Sequence, residues 1–207
     1  MAFPTTGLLD AFTRANEDPL ASGWLGPVRP AVNSARLVSN EVRQQVAGDG
    51  TTYFNTSYAA DQEAWFLVNT LPGSGGSISL LGRIRDPGLG TDDFYQWTYT
   101  VGTGWRMFVV IDDAYTQLGS TVSTPAMSAG EKIGLELTTN SQKGYHYTAG
   151  SWSVITTTTD SQIATGGFIG IEMADATAAV DDFGGGNIGS GAGTPPTLRV
   201  MRSNLRW

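Results

Sequence analysis

An all-β sandwich is the fold class this sequence predicts, and three observations predict it. Apolar and polar residues alternate with a period of two over most of the chain, and helix-period stripes are scarce. Glycine is abundant, with 27 residues in 207, and together with proline and aspartate it interrupts the alternation at short intervals. Charged residues make up only 15% against 40% hydrophobic, the balance of a turn-rich globular chain rather than a disordered one or a helical bundle. One sandwich accounts for the whole length, because such domains commonly run to about 200–250 residues.

The elements follow in order. Residues 39–45 (SNEVRQQ) hold the one helix-like start, but Ala47-Gly48-Asp49-Gly50 ends it at once, and a strand is expected there. Strands are expected over 64–68, 77–85, 95–99, 106–111, 132–137 and 167–171, all rich in β-branched and aromatic residues. Turn signals separate them: Pro72-Gly73, Asp86-Pro87-Gly88, Gly102-Thr103-Gly104, Asp112-Asp113 and Ala149-Gly150. From Gly184 the texture changes. The sandwich is therefore assigned to 1–183, a Gly/Pro-rich linker to 184–196, and an extended basic C-terminal arm to 197–207, where Thr197-Leu198-Arg199-Val200-Met201 alternates like one more strand.

Charge and composition narrow the function. The net charge is −7, yet Arg199, Arg202 and Arg206 place three of the twelve cations in the last nine residues. An acidic body lacks the clustered Lys/Arg that nucleic acid needs, so no nucleic-acid partner is expected. The arm, with Trp207 at its end, reads as a device for docking on protein, a neighbouring copy included; a disordered tail is the alternative. No run of 18 apolar residues exists, so no membrane-spanning helix is expected. The start, MAFPTT, lacks the basic and apolar segments of a secretory signal, and the absence of cysteine removes disulfides and thiolate chemistry together.

A family resemblance rests on motif order. Leu9-Asp10-Ala11-Phe12 and Gly23-Trp24 open the chain, followed by Leu81-Gly82-Arg83-Ile84-Arg85, Phe94-Tyr95 and Gly104-Trp105-Arg106. The hairpin Tyr145-His146-Tyr147-Thr148-Ala149-Gly150-Ser151-Trp152 comes next, and Gly167-Phe168-Ile169-Gly170 and Val180-Asp181-Asp182-Phe183 close the pattern. This order resembles the laminin-G-like jelly rolls of the concanavalin A-like lectin/glucanase superfamily over roughly residues 7–186. The resemblance implies two curved antiparallel sheets with the first and last strands side by side. It also implies a choice among lectins, glycosidases and structural modules that the fold alone does not make.

Catalytic constellations are thin. Glucan-hydrolysing relatives carry a Glu-x-Asp-x-x-Glu strand, and none is present; Glu63, Glu136 and Glu172 would have to converge across strands to replace it. His146 is the only histidine, expected at the surface or half-buried in a hairpin, and no Gly-x-Ser-x-Gly elbow surrounds a serine. The Gly-x-Gly-x-x-Gly at Gly184, Gly186 and Gly189 is followed by Pro195-Pro196 rather than a helix, so it is no dinucleotide site. Asn55-Thr56-Ser57 is a glycosylation sequon by letter only. No cofactor is required. Calcium is the one ion the acids would suit, with Asp10 and Asp181 or Asp182 beside the paired terminal strands.

The aromatics point to binding. Tyr95, Trp97 and Tyr99 share one face of a strand, which is expected to be core, leaving Gln96, Thr98, Arg83, Arg85 and Arg106 on a solvated face. That polar face is the candidate glycan groove. The full candidate set is Arg83, Arg85, Gln96, Trp97, Trp105, Arg106 and Tyr115, the tryptophans counting if the stripe faces ligand instead. The expectation is a non-catalytic binding or assembly module. Its leading form is a bacteriophage virion surface protein, a head decoration or tail component, partnered by other virion proteins or copies of itself and able to hold cell-surface glycans. The alternatives are an extracellular carbohydrate-binding module of a secreted protein and, behind it, a glycoside hydrolase.

Overall fold

The computed structural model describes residues 2–30, 32–46 and 49–189. Among these residues there is no helix. The first strands are short: β1 (Leu8–Asp10), β2 (Trp24–Leu25), β3 (Ala35–Val38), β4 (Glu41–Gln44) and β5 (Gly50–Phe54). Longer ones follow: β6 (Gln62–Thr70), β7 (Ser77–Arg85), β8 (Asp93–Thr100), β9 (Gly104–Ile111) and β10 (Ala114–Val122). The last five are β11 (Lys132–Thr138), β12 (Ser141–Thr148), β13 (Ser151–Thr159), β14 (Phe168–Met173) and β15 (Ala179–Asn187).

Two antiparallel sheets stack face to face. One has eight strands in the order β13-β12-β11-β6-β15-β4-β3, with β1 also on β15; the other has seven, in the order β10-β9-β8-β7-β14-β5-β2. The expected strands lie within or close to β6, β7, β8, β9, β11 and β14, because alternation is clearest in long strands that bury one face. The 39–45 segment is a strand in its main part, β4, joined to β3 by a tight turn in which Ser39 and Asn40 both take positive φ, 54° and 64°. Two left-handed residues are what a two-residue hairpin turn demands.

The Tyr95, Trp97 and Tyr99 stripe faces the core, as period two and residue size predict. Trp97 and Trp105 are wholly buried and stack with centroids 5.2 Å apart at 13°. Their indole N–H groups donate to Tyr145 O at 3.3 Å and Pro125 O at 2.7 Å, so neither polar edge is wasted. The Trp97 ring lies against β12 at Gly144, where a Cβ would approach it to 2.3 Å. Near the chain's opening, Trp24 meets Phe12 at 5.7 Å and Phe183 at 4.7 Å, so the terminal motifs form one aromatic knot where β1 pairs with β15.

The composition boundary at residue 184 needs correcting. Gly184 to Asn187 belong to β15, in register with Trp65, Ala64, Glu63 and Gln62 of β6. Gly184 is small because a Cβ there would stand 2.2 Å from the Trp65 indole. A glycine run that reads as a flexible tether is here a flat strip under a bulky ring. The rest of the proposed linker from residue 190, and the arm with Arg199, Arg202, Arg206 and Trp207, lie outside the described residues.

Candidate functional site

The outer face of the seven-stranded sheet divides into two halves. In one half Leu81, Ile84, Phe94 and Val110 are covered by Val28, with Tyr53 and Phe168 at the margin. The other half is polar and opens as a hollow of about 360 Å³. Strand register sets the polar row that runs through this half. Thr51 of β5 pairs with Glu172 of β14, Glu172 with Ser79 of β7, Ser79 with Thr98 of β8, and Thr98 with Arg106 of β9. Residues paired directly across antiparallel strands point to the same face, so these five make one cross-strand row.

Side chains around the row fix the rim. Arg29 follows Val28 and reaches across to β10, donating from Nε to Asp113 at 2.9 Å and from Nη1 to the Tyr115 hydroxyl at 2.9 Å. Its guanidinium also lies 5.4 Å from the Tyr115 ring centroid. Arg106 stacks 5.3 Å over Phe108 and donates from Nη2 to Thr100 Oγ1 at 2.9 Å. Gln96 donates to Ser79 Oγ at 2.9 Å, and Asp49 completes the lining beside β5.

Two groups in the hollow keep unmet hydrogen-bonding capacity. Glu172 is 6% exposed and its Oε2 has no partner, while Arg106 Nε is buried without an acceptor. Loss of water pushes the Glu172 carboxyl up to about 7; Asp49 and Asp113 push the same way, opposed by Arg29 and the Gln96 amide. The hollow's lining thus brings together an acid and a guanidinium, each with one buried atom short of a protein partner.

Of the seven residues the sequence offers for glycan binding, Gln96, Arg106 and Tyr115 line the hollow. Trp97 and Trp105 are core and cannot stack on a ligand. Arg83 is not on the solvated face. A shift in register between Gly82 and Arg85, with φ of 51° at Arg83, turns its side chain inward. There it donates to three backbone carbonyls, Ala60 at 2.8 Å, Ile163 at 2.6 Å and Thr139 at 3.1 Å, and burial lowers its pKa. Arg85 is ion-paired with its register partner Asp93, six or more residues along β7 from the hollow. Glu172, Arg29, Ser79, Thr98 and Asp49 were not in the candidate set. An acid between Ile171 and Met173 in an apolar strand was the available signal for Glu172; Arg29 and Asp49 sit on loops and carried none.

The other candidates resolve as follows. Glu63 and Glu136 come together, but Glu172 does not join them. Glu63 and Glu136 are register partners on the outer face of the eight-stranded sheet, with the sandwich between them and Glu172. Glu63 Oε1 accepts from the amides of Thr5 and Thr6, both at 2.6 Å, and Glu136 is held by Lys143 at 2.6 Å and by the Tyr145 hydroxyl at 3.1 Å. His146 is fully buried rather than superficial, packed 5.0 Å from Trp105 with Nε2 2.8 Å from Glu131.

The acids offered for calcium are engaged by protein groups. The Asp10 carboxylate is taken by Arg14 at 2.7 Å, the Phe12 amide at 2.8 Å and the Trp24 indole at 2.8 Å. Asp181 accepts from the Asp182 amide at 2.8 Å, and no metal-holding group of three acids or histidines occurs among the described residues.

No family model matches the sequence, and no curated protein does. Solved structures do match in fold. The carbohydrate-binding module CBM66 from Bacillus subtilis superposes with a TM-score of 0.60 at 17% identity, covering 78% of this chain and 94% of that one. The GH43 protein BlXynB from Bacillus licheniformis gives 0.58 at 17% identity, over 84% of this chain but only 38% of that one. The exoplasmic/lumenal domain of VIP36, in its Ca²⁺/Man3GlcNAc-bound form, gives 0.57 at 11% identity over 87% and 89%. The expected concanavalin A-like jelly roll is the fold of this chain, and these neighbours are of that kind.

Proposed function

We propose that this chain is a non-catalytic carbohydrate-binding module and that the hollow on the seven-stranded sheet is its binding site. The observation that carries the reading is the pairing of an unsatisfied acceptor, Glu172 Oε2, with an unsatisfied donor, Arg106 Nε, on the lining of one open hollow. Glu172 and Arg106 both line the hollow, and sugar hydroxyls both donate and accept, so a glycan seated there can bond to an acid and a guanidinium at once. Supporting it, two of the fold neighbours are named for carbohydrate or occur with a bound glycan. Glu172 lies across the sandwich from Glu63 and Glu136, which are themselves held by Thr5, Thr6, Lys143 and Tyr145, and this favours the non-catalytic reading. Such a module would work where glycans are displayed, outside a cell or on a virion.

A glycan array followed by calorimetry tests this. Wild-type protein is expected to bind at least one glycan. Gln96→Ala/Arg106→Ala is expected to weaken that binding at least about tenfold while keeping its strand circular dichroism, since each lost hydrogen bond to a charged group is worth about 1.5–3 kcal/mol. Equal binding by wild type and the double variant would move the site elsewhere. The assembly role expected of the arm depends on residues 197–207, which lie outside the described residues.

A further inference from the structure

We infer that the row from Glu172 to Arg106 is a subsite for a neutral sugar residue, gripped by its hydroxyls at both ends, and that Glu172 must be ionised to hold it. The inference rests on the carbohydrate-binding reading and says which carbohydrate the hollow takes.

The row has a polarity of its own. Its acid is on β14 and its cation on β9, with the hydroxyl residues Ser79 and Thr98 on the two strands between. Three strand spacings separate the ends, about 14 Å at the backbone. Arg106 makes no ion pair among the described residues; it donates to Thr100 Oγ1 and lies over the face of Phe108. Glu172 forms no ion pair there either. One uncompensated cation and one uncompensated acid at opposite ends match a ligand of zero net charge that offers donors at one end and acceptors at the other. Vicinal hydroxyls do this, because two adjacent O–H groups can donate to the two oxygens of a carboxylate while others accept from a guanidinium.

Charged sugars fit worse. The charged or titratable groups facing the hollow are Arg29 from the segment before β3, Asp49 from the loop before β5, Arg106 from β9, Asp113 from the β9–β10 turn and Tyr115 from β10. Arg29 is already neutralised by Asp113 at 2.9 Å. A uronate would find Arg106 but lie in the field of Asp49 and Glu172, with Asp113 close by. An amino sugar would find Glu172 but meet the unpaired guanidinium of Arg106. Like charges brought close together repel, and each such contact offsets the attraction at the other end of the row.

Ionised Glu172 accepts charge-assisted hydrogen bonds that the protonated acid cannot, so affinity should follow its ionised fraction. With the carboxyl pushed up to about 7, that fraction rises about tenfold between pH 6 and pH 8. The experiment is calorimetric titration of the full chain at pH 6, 7 and 8 with neutral gluco-, xylo- and manno-oligosaccharides, with oligogalacturonides and with glucosamine oligomers. The expected result is binding of a neutral oligosaccharide whose affinity climbs about tenfold over that range. Glu172→Gln should show the weak pH 6 affinity at every pH. Preference for the galacturonides or glucosamine oligomers would overturn the inference. So would a neutral ligand whose affinity ignores both pH and Glu172→Gln; in that case the carbohydrate-binding reading stands. Absence of binding by any of these sugars or on the array would overturn both.

Discussion

At the scale of single residues, burial decides what a charged side chain can do. Glu172 takes up a proton on folding because its ordinary value of 4.5 is raised to about 7. Its contribution to stability is therefore fully present below about pH 4.5 and is lost as pH rises through about 7. Glu172→Gln should stabilise the protein at pH 8 by on the order of 2–3 kcal/mol and do little at pH 4, as urea unfolding at the two pH values would show. Arg83 is the opposite case, a buried cation whose work is structural. Arg83→Ala leaves three backbone carbonyls unpaired and is expected to cost about 3 kcal/mol or more, with glycan affinity unchanged. A sugar affinity that falls with Arg83→Ala at constant fold would contradict that assignment. From sequence, Gln96 and Arg106 were legible as lining of the hollow because they share the polar face opposite the aromatic stripe, and Tyr115 entered only as an aromatic on a nearby strand. Arg83 was misplaced because one register shift reverses the parity that period-two reasoning depends on.

At the scale of elements, what the sequence made legible depended on length and on which face is buried. β6, β7, β8 and β9 announce themselves, each being eight or nine residues long. β10 and β13 lie at the free edges of the two sheets and are largely exposed, so no apolar alternation marks them. β2 spans two residues and is held by its neighbours rather than by any pattern of its own. The glycines of β12 and β15 are packing devices. Gly144→Ala would press a methyl onto the Trp97 ring and is expected to destabilise the sandwich by about 1–3 kcal/mol, measurable as a lowered Tm. A chain cut after Phe183 loses the rungs from Gly184 to Asn187 on β6 and the Leu8 pairing on β1. It should melt well below the full chain, whereas an unchanged Tm would return those glycines to the role of linker.

At the scale of the whole molecule, the two outer faces of the sandwich have different fates. On the eight-stranded sheet the N-terminal segment closes the surface. Phe3 stacks on Tyr145 at 4.0 Å and meets Trp152 edge-on at 4.8 Å, while Thr5 and Thr6 bind Glu63. On the seven-stranded sheet the covering stops at Val28 and Arg29, and the hollow stays open. A ligand is therefore expected on one face only. Glu63→Gln should lower stability, because it weakens the bonds that fasten the segment, yet leave glycan affinity within about twofold by calorimetry. The fold itself was legible because motif order, aromatic knot and strand period agree with one another. The site was only half legible, since which of two faces a loop covers depends on loop paths that carry no periodic signal.

The burial of the indoles has an optical consequence. Trp24, Trp65, Trp97 and Trp105 are each at most 8% exposed, and the two nearest the hollow in sequence point through the sheet into the core. Their emission should be blue-shifted in the native protein and move red on unfolding. A sugar seated on the Glu172–Arg106 row touches none of these four, so it should barely change their emission even when calorimetry records binding.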